Sequence, residues 1–233
     1  MKKLFLVANW KSNKTQSEAQ SFMIKLLNQD FITWLHSSSQ RDTTREIVIC
    51  PPHILLPEIS RMLHEQNIKM PISLGAQDVS PFGEGAHTGE ITAVQIAEFA
   101  KYVIIGHSER RQEFGETDAV ISEKVMNARK VGLEPIVCVQ SKDTPVPENV
   151  HIVAYEPLDA ISTGEVGKPL LPEKAEDVAL YFKNKKHILY VLYGGSVTPD
   201  NVYSYTSQSS IDGVLVGGAS LDPLLFSQII KNA

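Results

Sequence analysis

The chain has 233 residues, 42% hydrophobic and 21% charged, with 14 Gly and 13 Pro, a globular profile that excludes collagen, a coiled coil, a disordered tail and a disulfide-stapled miniprotein. Its 27 acidic against 22 basic residues leave a net charge of -5, so nothing builds the basic surface that nucleic acid requires, and an anionic substrate needs a local positive site. Cys50 and Cys138 stand far apart and form no CxxC, which argues against a zinc ribbon, a redox pair or a secreted disulfide framework and makes a reducing cytoplasm the simplest compartment.

The chain opens with Lys2, Lys3 and an apolar run, 4–8, that is too short for a signal peptide, and no stretch approaches the ~18 apolar residues of a membrane span. Apolar runs at 4–7, 47–50, 72–76, 102–105, 135–139, 151–154, 188–192 and 214–216 predict eight strands. They lack polar alternation and are rich in Val, Ile and Leu, as strands covered on both faces are, so parallel pairing is expected. Helix-start signals lie between them: Thr15 with Glu18, Thr92 ahead of Ala93, Ile96 and Ala97, Pro172 with Glu173, Thr198 with Pro199 and Asp200, and Asp222 with Pro223. Only 141–149 breaks the rhythm, because Pro145 and Pro147 leave no room for a crossover helix. The prediction is an α/β fold, a (β/α)8 barrel of eight parallel strands with seven outer helices and the helix after strand five missing, in one domain over 1–233. Cys50 and Cys138 are expected as small hydrophobes facing the barrel interior.

In such a barrel the chemistry sits just past the carboxyl ends of the strands. Strand one is followed by Asn9-Trp10-Lys11, and strand four by Gly106-His107-Ser108-Glu109-Arg110-Arg111, an imidazole with a carboxylate and two guanidiniums behind it. After strand six, Tyr155-Glu156-Pro157 puts a carboxylate at the rim ahead of a loop whose Gly164 and Gly167 suit the hinges of a lid. Gly194-Gly195-Ser196 and Gly217-Gly218-Ala219-Ser220 follow strands seven and eight. Two such glycine pairs let backbone N–H groups converge on one oxyanion and match the recurring phosphate site of these barrels. The 83–89 stretch is spaced one residue too long for GxGxxG, and no cluster of His or Cys has metal-ligand spacing, so no metal is expected.

Taken in order, these five motifs resemble the triosephosphate isomerase family along the whole chain, which implies its fold, the TIM barrel. The resemblance implies Glu156 as the base that moves a proton between adjacent carbons. His107 would be the neutral electrophile with its pKa held down by a helix N-terminus, an arrangement for which the family itself is the well-known example. It implies Lys11 and Asn9 as stabilisers of developing negative charge, Glu109 as support for the polar network, and Ser162, Ser196, Gly217 and Gly218 as phosphate holders. The lid would run Pro157-Leu158-Asp159-Ala160-Ile161-Ser162-Thr163-Gly164-Glu165-Val166-Gly167. Gln77 and the loop 78–90, with Thr88, would insert into a partner subunit near Lys11, so the resemblance implies a homodimer. A small phosphorylated triose would be the substrate, in glycolysis and gluconeogenesis, with no cofactor, nucleic acid or membrane partner.

Several positions depart from the family pattern. Asp159 stands where Trp is common and Ser162 where Gly is usual, a change worth about 1 kcal/mol in hinge energetics where φ is positive. Glu165-Val166-Gly167 and Gln140-Ser141 also differ. Two other readings remain open at this point: an isomerase of another small sugar phosphate, such as a tetrose phosphate, and a barrel that binds phosphate esters without turning them over.

Overall fold

The computed structural model of the protein describes residues 2–38, 43–65, 71–157 and 169–233. Eight strands, β1 (Lys2–Asn9), β2 (Thr43–Cys50), β3 (Ile72–Ala76), β4 (Tyr102–Ile105), β5 (Glu134–Val139), β6 (Ile152–Tyr155), β7 (Tyr190–Tyr193) and β8 (Gly213–Val216), pair in parallel in chain order and close into a barrel. The apolar runs are continuous because both faces are covered. Phe5, Val7, Val48, Cys50, Tyr102, Ile104, Ile136, Cys138, Ile152, Ala154, Leu192 and Leu215 fill the interior. Their neighbours, such as Leu6, Ile47, Val103, Val137 and Val216, pack outward with the helices. Both cysteines are free and buried, as expected of small interior residues.

The helices are α1 (Gln16–Leu26), α2 (Gln29–Ser38), α3 (Leu56–Glu65), α4 (Ala93–Ala97), α5 (Ser108–Glu113), α6 (Asp118–Lys130), α7 (Pro172–Lys186), α8 (Val202–Thr206) and α9 (Pro223–Asn232). Thr15 and Glu18 form a capping box at α1, which buries Ala19, Phe22, Met23 and Leu26 at helical spacing. Pro172 opens α7, and the Asp222 carboxylate accepts from the N–H groups of Leu224 and Leu225 to cap α9.

Three expectations are corrected. The count of seven helices falls short, because the connections after β1 and β4 each carry two. Helix α8 starts at Val202, since the Asn201 carboxamide oxygen accepts from Thr198 N–H at 2.8 Å and its Nδ2 donates to Ser196 O at 3.0 Å, which turns 198–201 into a loop brace. Strand β7 starts at Tyr190, because Ile188 N–H donates to Phe182 O and closes α7 behind His187, which is left-handed at φ 54°.

Among the described residues, 140–151 contain no helix. Thr144 Oγ1 instead accepts from the N–H groups of Gln140 and Ser141, and a tight turn carries the chain to β6. One side of α6, with Val125, Met126 and Arg129, therefore lines a surface groove against Pro147 and Asn149, and Met126 is exposed.

Barrel closure depends on one residue. Phe5 pairs with Gly213, Phe5 N–H donates to Asp212 O at 2.8 Å, and a Cβ on Gly213 would lie 2.0 Å from Phe5 O at a φ of 148°. A Gly213→Ala substitution should cost about 3 kcal/mol or more and lower Tm by roughly 6–12 °C, read by calorimetry. A Tm within about 2 °C of the parent would mean that the seam shifts freely.

Candidate active site

Because every strand points the same way, the residues past their carboxyl ends meet at one rim. A cavity of about 460 Å³ opens there, lined by Asn9 at the end of β1 and Lys11 just past it, His107 after β4, Glu156 after β6, Gly194, Gly195 and Ser196 after β7, and Gly217 and Gly218 after β8. Asn9, His107 and Glu156 are buried. The catalytic and substrate-binding residues expected within the described segments thus converge, except that Glu109 stands just behind the lining, and the interface candidates Gln77 and Thr88 lie outside it. Of the predicted lid, Pro157 is described and buried, while 158–167, including Ser162, lies outside the described residues.

The first turn of α5 organises the centre. Glu109 N–H donates to His107 Nδ1 at 3.2 Å, so in the neutral ring the proton sits on Nε2, which faces Glu156 Oε1 at 2.9 Å. One residue earlier, Ser108 N–H donates to Glu156 Oε2 at 3.0 Å. Two successive N–H groups of one helix end thereby hold both the imidazole and the carboxylate. Burial lowers the His107 pKa, but the Glu156 carboxylate and then Glu109 raise it further, so with Glu156 against the ring the net direction is upward. That corrects the expectation of a lowered value. Occupation of Nδ1 by a donor still favours a ring with one proton, and protonating Nδ1 would break that contact.

Lys11 sits at φ 51°, a left-handed conformation for a side chain, and its N–H donates to Asn9 Oδ1 at 3.1 Å. Its ammonium meets Glu109 Oε1 at 2.5 Å, and its stem passes over Gly217, where a Cβ would come within 3.6 Å of Lys11 Cε. The cation is therefore carried beside the glycine turn. Gln77 Nε2 donates to the carbonyls of Lys11 and Cys50, both at 2.9 Å, so it braces the base of this loop from within the same subunit. Thr88 is exposed on the 78–90 loop.

Three features escaped the sequence. The Ser108 N–H that holds Glu156 could have been inferred only from a helix start at that residue. Cys138 does more than fill space: burial, and then the Glu156 carboxylate beside it, keep its thiol protonated. Arg110 and Arg111 point away from the cavity. Arg110 Nε pairs with Glu116 at 2.5 Å and Asp78 at 2.9 Å, and Arg111 Nε donates to Gly106 O at 3.0 Å, so both guanidiniums brace loops. Among the described residues, Lys11 is the one Lys or Arg in the cavity lining.

A carboxylate and an imidazole that share a proton-transfer contact, set beside a cation and two glycine turns suited to a phosphate, define an isomerase barrel acting on a small phosphate ester. The chain belongs to the triosephosphate isomerase family. The family model described as triosephosphate isomerase matches residues 4–233. Among similar proteins, the triosephosphate isomerase of Gloeothece citriformis is 39% identical over 99% of both chains. That of Nostoc punctiforme is 37% identical over 99% of this chain and 98% of its own, and that of Thermoanaerobacter sp. is 36% identical over 99% of this chain and 100% of its own.

Lys11→Met should weaken inorganic phosphate binding by about tenfold or more, since it removes the cavity's cation, while the melting temperature stays within about 2 °C. Calorimetric titration reads the affinity, and an unchanged value would remove Lys11 from the anion site.

Proposed function

We propose that the protein interconverts D-glyceraldehyde 3-phosphate and dihydroxyacetone phosphate, in glycolysis and gluconeogenesis, with Glu156 as base and His107 as electrophile. The observation that carries this reading is the 2.9 Å contact between His107 Nε2 and Glu156 Oε1 in a cavity of about 460 Å³ that the two glycine turns also line. Substrate oxygen takes the place of Glu156 at Nε2–H, and the freed carboxylate turns to the neighbouring carbon. Glu156 removes a proton from that carbon, the C–H electron pair forms the enediolate double bond, and the carbonyl π pair moves onto its oxygen, toward which Nε2–H donates. The imidazole relays a proton between the two oxygens, and Glu156 returns its proton to the adjacent carbon, so atoms and charge balance without a redox step. With Glu156 turned to substrate, its upward pull on the imidazole pKa ends, whereas the Glu109 N–H stays on Nδ1 and favours the neutral ring. Lys11 and Asn9 stabilise the enediolate oxygens, Glu109 holds Lys11, and Ser162, Ser196, Gly217 and Gly218 hold the phosphate, beneath a lid formed by 157–167.

The same reading takes the chain as one domain over 1–233, active as a homodimer in the cytoplasm. Support for the dimer comes from the 78–90 loop, where Phe82 is 50% exposed and stacks on His87 at 4.3 Å, with Ile91 and Val94 exposed nearby in sequence. Gln77, at the root of that loop, links it to Lys11. No described helix is long and apolar enough to cross a membrane.

A coupled spectrophotometric assay with glyceraldehyde 3-phosphate tests the chemistry. Turnover should fall by roughly a thousandfold or more in Glu156→Gln and about a hundredfold in Glu156→Asp, where the carboxylate is pulled back by one methylene. Parental turnover in either variant would defeat the assignment of the base. For the dimer, Phe82→Lys should shift sedimentation toward the monomer, and an unchanged dimer would place the interface elsewhere.

A further inference from the structure

Tyr205 lies on α8, outside the cavity lining, yet it is stacked on a side chain that supports the glycine turn after β7. Tyr193 and Tyr205 are both buried, at 1% and 2% exposure, and their rings stack with centroids 4.0 Å apart and planes 13° from parallel. Leu170 N–H donates to Tyr193 Oη at 3.1 Å, and Tyr205 Oη–H donates to Leu170 O at 2.6 Å. Leu170 thus bridges the two stacked phenols through its backbone, and both of its polar backbone groups are satisfied.

The Tyr193 phenol sits directly under the turn. A Cβ on Gly195 would lie 2.2 Å from Tyr193 Oη and 2.5 Å from its Cζ, so the Gly195 backbone rests on the phenol edge. On the other side, a Cβ on Gly194 would lie 2.9 Å from Glu156 Cγ. A tilt of the Tyr193 ring therefore moves the peptides of 194–196 on one face of the turn while Glu156 limits them on the other. Removing the Tyr205 hydroxyl leaves the Leu170 carbonyl without its donor, which loosens the segment whose N–H holds Tyr193 Oη and lets the Tyr193 ring tilt.

We propose that Tyr205 is a positioning residue for phosphate-ester binding: through the Leu170 bridge and the stack of the two phenols it fixes the Tyr193 hydroxyl, and through it the Gly194-Gly195-Ser196 turn. The proposal rests on the isomerase reading of the cavity for its substrate, but on the bridge geometry for its mechanism. It also gives 169–171, ahead of α7, a defined attachment to the β7 loop.

The test uses the intact protein and inorganic phosphate as probe, titrated calorimetrically, beside steady-state kinetics with glyceraldehyde 3-phosphate. Tyr205→Phe should weaken phosphate binding roughly three- to tenfold and raise KM by a similar factor, with a smaller change in kcat. Tyr193→Phe breaks the same Leu170 bridge from its other end, so the double variant should bind phosphate within about twofold of the weaker single variant. If Tyr205→Phe does not fold, Tyr193→Phe carries the measurement: lowered phosphate affinity in a folded protein supports the bridge's role, and unchanged affinity overturns it. A lowered melting temperature with unchanged phosphate affinity and KM overturns the proposal, as do additive single effects or a parent that binds no phosphate. A parent that binds phosphate but does not turn over triose phosphate fails the isomerase reading alone, and Tyr205 is then judged by phosphate affinity.

Discussion

Closure of β1 against β8 is the constraint from which the remaining geometry follows. Once Phe5 is seated on the bare backbone of Gly213, eight parallel strands share one direction of travel, and each carboxyl end arrives at the same rim. Residues separated by nearly the whole chain, Asn9 and Gly217 among them, then line one cavity. The seam is held from both sides, since Asp212 N–H donates to Val191 O and its carboxylate accepts from Val191 N–H and Lys183.

Within that rim, polarity is imposed by backbone more than by side-chain charge. The net charge of the chain is negative and the described cavity lining carries one ammonium, so N–H groups contribute much of the local positive field there. At α5 these groups face inward upon His107 and Glu156. Backbone donors do not titrate, so they orient the pair equally well at any pH where the fold survives.

The strands and their order were legible in the sequence because a strand buried on both faces reads as an uninterrupted apolar run, and all eight runs overlap observed strands. Catalytic candidates were legible because rim residues follow those runs directly. The errors have a common origin in polar contacts that a linear pattern does not show. Thr198 and Asp200 read as a helix start, yet the Asn201 carboxamide captured the local donors first. Ile188 read as strand, but its N–H was claimed by α7. Arg110 and Arg111 stood next to His107 in sequence, and a helix turn swung them to Glu116, Asp78 and Asp118. Tyr205 carried no signal, since a tyrosine in a short helix is indistinguishable from packing until Leu170 is brought against it.

The bare connection between β5 and β6 also bears on how the barrel assembles. Residues 140–151 bridge these two strands, whereas the next shortest bridge, from β7 to β8, needs 194–212. Loop-closure entropy rises with the logarithm of loop length, so β5 and β6 are the parallel neighbours whose meeting restricts the unfolded chain least. In a topology whose other pairings all wait on longer excursions, discarding a helix has made this pair the most local contact of the sheet and the least costly place for the barrel to nucleate.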